Sequence, residues 1–255
     1  MVTDSTDCVE MTASGLAMSW WGSGLPYAPT IARMEQAQAD RKAGLLPDSA
    51  FYLEHDPVVT YGRATPPEHL APEGPHGIPT VEVPRGGLAT YHGPGQLVGY
   101  LVVDLSKRAD GRPADLHAYL RAIEEGLIAF VREEYGLPAG IREGFTGVWT
   151  HGFEVASGEG PALAGRKLAS IGVSCRRWVT AHGFALNIEP ELAAFRAIVP
   201  CGITDAEMTS IRRECELAGR PFVSKPMNQL AARVHQHLAR SLADAGWCRS
   251  QIKEA

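Results

Sequence analysis

The sequence lacks the features that mark nucleic-acid-binding and membrane-spanning proteins. Its 255 residues carry a formal net charge of -5 and contain no block rich in lysine or arginine. Clustered cations for phosphate contacts are therefore missing, and direct nucleic-acid binding is not expected. No uninterrupted apolar run reaches the length of a membrane span. The N-terminal MVTDSTDCVE is acidic and polar, unlike a signal peptide, so we expect a cytosolic protein without a membrane partner.

Cysteine is scarce and scattered. The chain has Cys8, Cys175, Cys201, Cys215 and Cys248, without a CxxC pair. An odd number without regular spacing predicts free thiols in a reducing compartment rather than a disulfide framework. Cys175 and Cys215 are interpreted as structural, and Cys248 is expected in an exposed tail. His92, His151 and His182 lack ligand spacing with any cysteine or carboxylate, and His235 and His237 would face different directions on a helix, so no metal site is predicted.

A glycine-rich stretch, RGGLATYHGPGQLVGYLVVDL, occupies residues 85–105. No GxxxxGK[ST] loop occurs in the chain, and the glycines here precede a β-rich run instead of the helix that a dinucleotide site requires. The glycines are thus expected to serve turn geometry and close approach. Two interpretations remain: a tight hairpin without a ligand, or one wall of a pocket, which Arg85, Tyr91 and His92 favour.

The residue pattern predicts an α+β fold or an irregular α/β sheet rather than a doubly wound sheet. Good helix formers and capping residues predict helices at 29–45, 116–135 and 228–246. β-Branched and aromatic runs predict strands at 50–55, 58–61, 147–150, 167–173 and 184–188. These elements do not alternate as regular βαβ units. We expect one domain at residues 16–250, after a flexible tail at residues 1–15.

Two residues could carry covalent chemistry. Cys201 stands between Pro200 and Gly202 in AIVPCGI, on a rigid and locally open bend. Its thiol is either an acyl-accepting nucleophile or a small buried hydrophobe. Lys167 in GRKLASIGV would share a strand face with apolar residues, where desolvation disfavours its charge. It either reaches back to solvent at the strand end or points into a site.

Several ordered motifs together resemble one family, the lipoyl(octanoyl) transferases. They are LEHDPVVTYGR, RGGLATYHGPGQLVGY, GVWT, GRKLASIG, AHGFALNI, IVPCGITD and MTS, spread over about residues 50–210. The resemblance implies a mixed sheet flanked by helices, as in the catalytic domains of biotin and lipoate ligases. It also implies transfer of an octanoyl group from acyl carrier protein to a lysine of lipoyl domains, in 2-oxoacid dehydrogenase E2 subunits and the glycine cleavage H protein.

The resemblance assigns roles by position. Cys201 matches the nucleophile that carries the acyl thioester, and Lys167 matches its activating partner. The implied substrate-binding residues form three segments: Arg85, Gly86, Gly87, Leu88, Ala89, Thr90, Tyr91 and His92; the turn Ser170, Ile171 and Gly172; and Gly183, Phe184 and Ala185. Leu88, Ala89 and Leu101 depart from the family pattern, which concerns acyl-chain preference more than the reaction.

The implied chemistry needs no cofactor, because a thioester donor is already activated and requires neither ATP nor a metal. A Lys167 ammonium would lower the pKa of the Cys201 thiol. Small residues at Ala169, Gly183 and Ala185 are expected to leave an apolar slot for the acyl chain. Three alternatives remain: an ATP-dependent lipoate or biotin ligase, a noncatalytic module that binds carrier protein or lipoyl domains, and a thiol hydrolase.

Overall fold

A computed structural model of the chain describes residues 10–11, 15–62, 65–66, 77–84, 89–150, 165–197 and 206–248. Within these ranges twelve strands form two sheets, and four α-helices and one 3₁₀ helix accompany them. The strands are β1 Glu10–Met11, β2 Ala17–Leu25, β3 Ser49–His55, β4 Val58–Gly62, β5 Thr80–Val83, β6 Thr90–His92, β7 Gln96–Val102, β8 Gly140–Arg142, β9 Phe145–Thr150, β10 Gly165–Arg176, β11 Val179–Asn187 and β12 Ala206–Met208. The helices are α1 Tyr27–Ala43, α2 Leu116–Tyr135, α3 Ile211–Leu217 and α4 Met227–Asp244, and the 3₁₀ helix spans Leu192–Ala197.

The larger sheet has the strand order β1-β2-β3-β7-β11-β10-β9-β8, and β12 adds to β10. Its pairs are antiparallel except β2–β3 and β10–β12, which are parallel. The smaller sheet has the order β5-β4-β6. This mixed sheet with flanking helices confirms the predicted fold class.

Helices cover both faces of the larger sheet, and strand alternation decides which residues face which helices. On β7, Leu97 and Leu101 face the core shared with α2 and α4. Val98 and Tyr100 face the opposite core, which α1 covers with Met34. Because side chains alternate along a strand, β7 is buried on both sides and reads as a continuous apolar run.

The helix α2 has the bounds that the sequence predicts, since both of its ends carry strong capping signals. The Asp115 side chain accepts a hydrogen bond from the Ala118 amide at 3.0 Å. Gly136 ends the helix in the left-handed conformation, with φ 61°. Between them, Ile123, Leu127 and other apolar residues pack against α4. Among the described helices none is long and apolar enough to cross a bilayer.

The other predicted elements overlap the observed ones, with two corrections. All five predicted strand segments fall on strands, and α1 and α4 lie within a few residues of their predicted bounds. Cys248, however, is not in an exposed tail: it is 6% exposed and its Sγ lies 3.8 Å from Asp48 Oδ2. In addition, no pattern in the sequence predicts β2, a strand whose pairing with β3 shifts register at Gly22.

Candidate active site

The structure describes only part of the predicted site. Cys201 and the residues 85–88 lie outside the described residues. The remaining predicted residues lie on three strands, or, for Ala89, directly before one. β6 carries Thr90, Tyr91 and His92, β10 carries Lys167, Ser170, Ile171 and Gly172, and β11 carries Gly183, Phe184 and Ala185.

Lys167 is buried at the beginning of β10, with 4% of its surface exposed. It pairs across the sheet with Trp149 of β9, and its Nζ lies 5.2 Å from the centre of the indole ring. The interpretation in which the lysine reaches back to solvent is therefore wrong. The Lys167 Nζ lies within cation–π range of the Trp149 ring.

Gly147 leaves the space in which the Lys167 side chain lies. A Cβ on Gly147 would be 2.6 Å from Lys167 Cε, 3.3 Å from its Nζ and 2.5 Å from the Ala169 carbonyl oxygen. Its φ of +135° is also one that side-chain-bearing residues rarely adopt. The glycine of the GVWT motif is thus explained by close approach of the lysine.

Glu124 of α2 adds a buried carboxylate to this region, which sequence reasoning missed. Its Oε1 accepts a hydrogen bond from the Gly147 amide at 2.8 Å, and its Oε2 lies 2.9 Å from Arg121 Nη1. Burial raises the pKa of the Glu124 carboxyl, while the Gly147 amide and the charges of Arg121 and Lys167 oppose that rise. A signal existed in the sequence, because Leu120 and Ile128 flank Glu124 at helical spacing and place it on a partly apolar face.

The glycine-rich stretch turns the chain from β6 into β7, as predicted. Gly95 has φ +82°, and a Cβ there would lie 2.6 Å from the Glu189 carbonyl oxygen. Its amide donates to Glu54 Oε1 at 2.8 Å. Tyr91 is buried against Phe195 of the 3₁₀ helix, with ring centres 5.3 Å apart.

Strand alternation divides the predicted residues of β10 and β11 between the two faces of the sheet. Ser170, Gly172, Gly183 and Ala185 share the face that α1 covers, as their pairing across the two strands requires. Ile171 and Phe184 point to the other side and pack in the core with α2 and α4. The segment 170–172 is therefore part of a strand, and its prediction as a turn is wrong.

The predicted acyl slot also needs correction. Ala169 packs in the core on the α2 and α4 side, whereas Ala185 lies on the opposite face. A Cβ on Gly183 would lie 2.3 Å from the Gly99 carbonyl oxygen, so this glycine accommodates the neighbouring strand. Ser170 remains on the α1 face with a buried Oγ that has no hydrogen-bond partner among the described residues. An unpaired buried hydroxyl is costly, which makes Ser170 a candidate for a substrate contact.

The described segments on either side of Cys201 both reach the predicted site. Before it, Phe195 packs on Tyr91 of β6. After it, β12 pairs with the first residues of β10, with Met208 opposite Lys167. The Thr209 amide then donates to the Lys167 carbonyl oxygen at 3.0 Å.

Histidine and tyrosine side chains form a cluster beside β6. His55 Nδ1 lies 3.0 Å from the Leu25 carbonyl oxygen, and its Nε2 lies 2.6 Å from the Tyr100 hydroxyl. Burial lowers the pKa of His55 to about 4. The rings of Tyr27 and His92 stack at 6.3 Å on the same side of the molecule.

A family model described as the lipoyl protein ligase A/B catalytic domain matches residues 26–239. The chain belongs to this family. An octanoyltransferase of Geobacter metallireducens is 47% identical over 77% of this chain and 81% of its own length. An octanoyltransferase of Syntrophotalea carbinolica is 44% identical over 84% of this chain and 88% of its own length. The predicted family and its acyltransferase class are thereby confirmed.

Solved structures add the fold. The crystal structure of a lipoate-protein ligase A bound with ATP has a TM-score of 0.58 to this chain at 17% identity, covering 87% of this chain and 85% of the other. At that identity the likeness establishes the architecture alone. Among the described residues, no three His, Cys, Asp or Glu side chains lie close enough together to hold a metal ion.

Proposed function

We propose that this acyltransferase acts in the cytosol and moves an octanoyl group from octanoyl-acyl carrier protein to a lysine of lipoyl domains, those of 2-oxoacid dehydrogenase E2 subunits and the glycine cleavage H protein, through a thioester on Cys201. The octanoyltransferase relatives support the choice of octanoyl as the transferred acyl group. The observation that carries the mechanism is the buried Lys167, whose strand pairs with the segment that follows Cys201. The catalytic domain is assigned to residues 16–250.

The first half of the reaction transfers the acyl group to the enzyme. The Cys201 thiolate attacks the thioester carbonyl, a carbon–sulfur bond forms, and the bond to the carrier sulfur breaks. The Lys167 ammonium gives its proton to the departing carrier thiolate and becomes neutral. The Lys167 Nζ lies 5.2 Å from the centre of the Trp149 ring, and its charge acts on the buried Glu124 carboxyl.

The second half transfers the acyl group to the acceptor. The lysine amine of the lipoyl domain attacks the acyl-enzyme carbonyl, an amide bond forms, and the Cys201 thiolate leaves. Neutral Lys167 takes the proton that the amine loses, which restores the starting ion pair. The unpaired Ser170 hydroxyl on the α1 face supports a hydrogen bond to the substrate. No ATP or metal enters either half.

Intact-mass measurement tests the proposal directly. After incubation with octanoyl carrier protein in the absence of ATP, the enzyme is expected to gain one octanoyl mass, which hydroxylamine removes. Cys201→Ser should abolish the adduct, whereas the control Cys215→Ser should retain it because Cys215 is buried in the core. An unmodified wild-type protein would refute the transfer mechanism. For Lys167→Ala we expect binding of the carrier with little adduct, and an unchanged rate would refute the role assigned to Lys167.

Changes of substrate and measured product in this experiment separate the alternatives. A ligase would acylate a lipoyl domain from free octanoate and ATP, and would not need Cys201. A noncatalytic binding module would form a complex with carrier protein without an adduct. A thiol hydrolase would release octanoate without acylating a lipoyl domain.

A further inference from the structure

Buried amide side chains connect the predicted substrate-binding strand to the strand of Lys167. Gln96 at the start of β7 and Asn187 at the end of β11 are almost fully buried, at 1% and 0% exposure. Gln96 Nε2 donates to Asn187 Oδ1 at 2.9 Å and to the Tyr91 carbonyl oxygen at 3.1 Å. Gln96 Oε1 lies 2.7 Å from His92 Nδ1. The connection thus begins at a predicted substrate-binding residue.

The other end of the connection reaches the backbone of Lys167. Asn187 Nδ2 donates to the Thr209 carbonyl oxygen at 2.9 Å. The amide of Thr209 donates to the Lys167 carbonyl oxygen at 3.0 Å. The Thr209 hydroxyl donates to Glu214 Oε1 at 2.6 Å, and Arg166, the neighbour of Lys167, holds Glu214 with two hydrogen bonds of 2.7 and 2.8 Å. Thr209 is therefore fixed to β10 on both its backbone and its side chain.

Hydrogen-bond chemistry permits a single orientation of both amides. A backbone carbonyl only accepts, so the groups that face the Tyr91 and Thr209 carbonyl oxygens must be the NH₂ groups of Gln96 and Asn187. The Gln96 oxygen is then the atom that faces His92. Because that oxygen only accepts, His92 Nδ1 must carry a proton.

The amides therefore determine the tautomer of the histidine. Neutral His92 carries its proton on Nδ1 and has its lone pair on Nε2, which lies 3.3 Å from Thr60 Oγ1. This is the reverse of the Nε2–H form that free histidine favours in water. Because Gln96 fixes the proton on Nδ1, Nε2 of neutral His92 acts only as a hydrogen-bond acceptor.

We propose that Gln96 and Asn187 are positioning residues of the acyl transfer. They fix His92 as its Nδ1–H tautomer and hold it in a constant position relative to Lys167. The inference rests on the proposed function for its catalytic consequence, but its tautomer part stands independently. Small displacements of a catalytic group reduce rates strongly, so a connection of this kind preserves the geometry that the reaction needs.

Nitrogen NMR on the full chain tests the tautomer. Long-range ¹⁵N–¹H spectra, with His92 assigned by comparison with His92→Gln, are expected to contain a protonated Nδ1 and an unprotonated Nε2 at neutral pH. Gln96→Met removes the acceptor and should release His92 towards the Nε2–H form. His55 is an internal reference, because the Leu25 carbonyl oxygen fixes its Nδ1 proton without Gln96. An Nε2–H form of His92 in the wild type, or no change in Gln96→Met, would overturn the proposal.

Asn187→Asp tests the other half separately. The aspartate still accepts from Gln96, so the His92 tautomer should persist, but its ionised carboxylate cannot donate to the Thr209 carbonyl oxygen. We expect the single-turnover rate of acyl-enzyme formation to fall at least about ten-fold. The ratio of variant to wild-type rate should rise as the pH falls, because a protonated Asp side chain can donate again. A rate that stays low at every pH would contradict the positioning role of Asn187.

Ser241→Ala is the matched control, since it deletes one side-chain hydrogen bond to a backbone carbonyl, that of Ala122, between α4 and α2. It should retain the wild-type rate. If the wild type forms no acyl adduct, the proposed function fails while the tautomer result still holds. If the wild type is active and both Gln96→Met and Asn187→Asp keep its rate, the positioning role fails. Should Gln96→Met not fold, the wild-type tautomer and Asn187→Asp still decide the question.

Discussion

Substitution of Gly147 by alanine should damage both stability and acyl transfer. The new Cβ would lie 2.6 Å from Lys167 Cε and 2.5 Å from the Ala169 carbonyl oxygen. Carbon atoms in contact are normally about 3.5–4.0 Å apart, so the lysine side chain must retreat by about 1 Å. A carbonyl oxygen in the middle of β10 has little freedom to move, so the conflict falls mainly on Lys167.

The expected magnitude follows from two independent costs. A residue with a side chain at φ +135° carries backbone strain of about 1–3 kcal/mol. Overpacking in a closed interior adds about 1–3 kcal/mol. We therefore expect the free energy of unfolding to fall by about 4 kcal/mol. A displacement of about 1 Å at Lys167 should slow acyl-enzyme formation by about 100-fold.

Gly144→Ala supplies the matched control in the same hairpin. Gly144 has φ +79°, but a Cβ there would have nothing within 4 Å. This variant carries only the backbone cost, about 1–2 kcal/mol, and should transfer acyl groups at the wild-type rate. Urea denaturation and intact-mass kinetics measure the two effects. Equal stability losses in the two variants, with Gly147→Ala fully active, would refute the steric explanation of the GVWT glycine.

Three other expectations follow from the described residues. Burial lowers the pKa of His55 and His235 to about 4, below the ordinary 6.5, so the unfolded chain binds their protons first. Their stabilising contribution is complete above pH 6.5 and declines as the pH falls towards 4, by about 2 kcal/mol each between pH 7 and pH 5. Urea titrations at the two pH values measure this, and His235→Gln should lose its share of the pH dependence. Burial raises the pKa of the Cys175, Cys215 and Cys248 thiols. Brief alkylation of the native protein, followed by peptide mapping, should therefore find Cys201 modified before these three. Early labelling of Cys248 would contradict its burial. Glu214→Gln removes the negative charge that pairs with Arg166. It should lower the free energy of unfolding, measured by urea denaturation, by about 3 kcal/mol. No loss would mean that the attraction within this ion pair does not exceed the cost of desolvating its charges.

Local signals in the sequence were sufficient for much of the fold. The bounds of α2 could be predicted because Asp115 and Gly136 mark its ends and an apolar stripe connects them. Strand β2 could not be predicted, because its glycines, Gly22 and Gly24, interrupt the alternation and its stability comes from parallel pairing with the distant β3. Non-local pairing of this kind leaves no local pattern.

The candidate site was predictable only as a set of segments. The motifs identify Lys167 and the strands around it, whereas the face on which each side chain lies depends on register. Ser170 and Ile171 are neighbours in one motif, yet they point to opposite sides of the sheet. Gln96, Asn187 and Thr209 are polar residues within three of the motifs. Their contacts join parts of the chain about 90 residues apart or 22 residues apart and could not be inferred from spacing.

The single permitted orientation of Gln96 and Asn187 has an evolutionary consequence. A substitution that removes the donor at Gln96 or the acceptor at Asn187 leaves the other amide with an unpaired polar atom in a place that water does not reach. The two positions are therefore expected to change together in the descent of this chain. A library that randomises both codons and selects for activity should return complementary pairs, and few sequences in which one amide survives beside an unrelated partner.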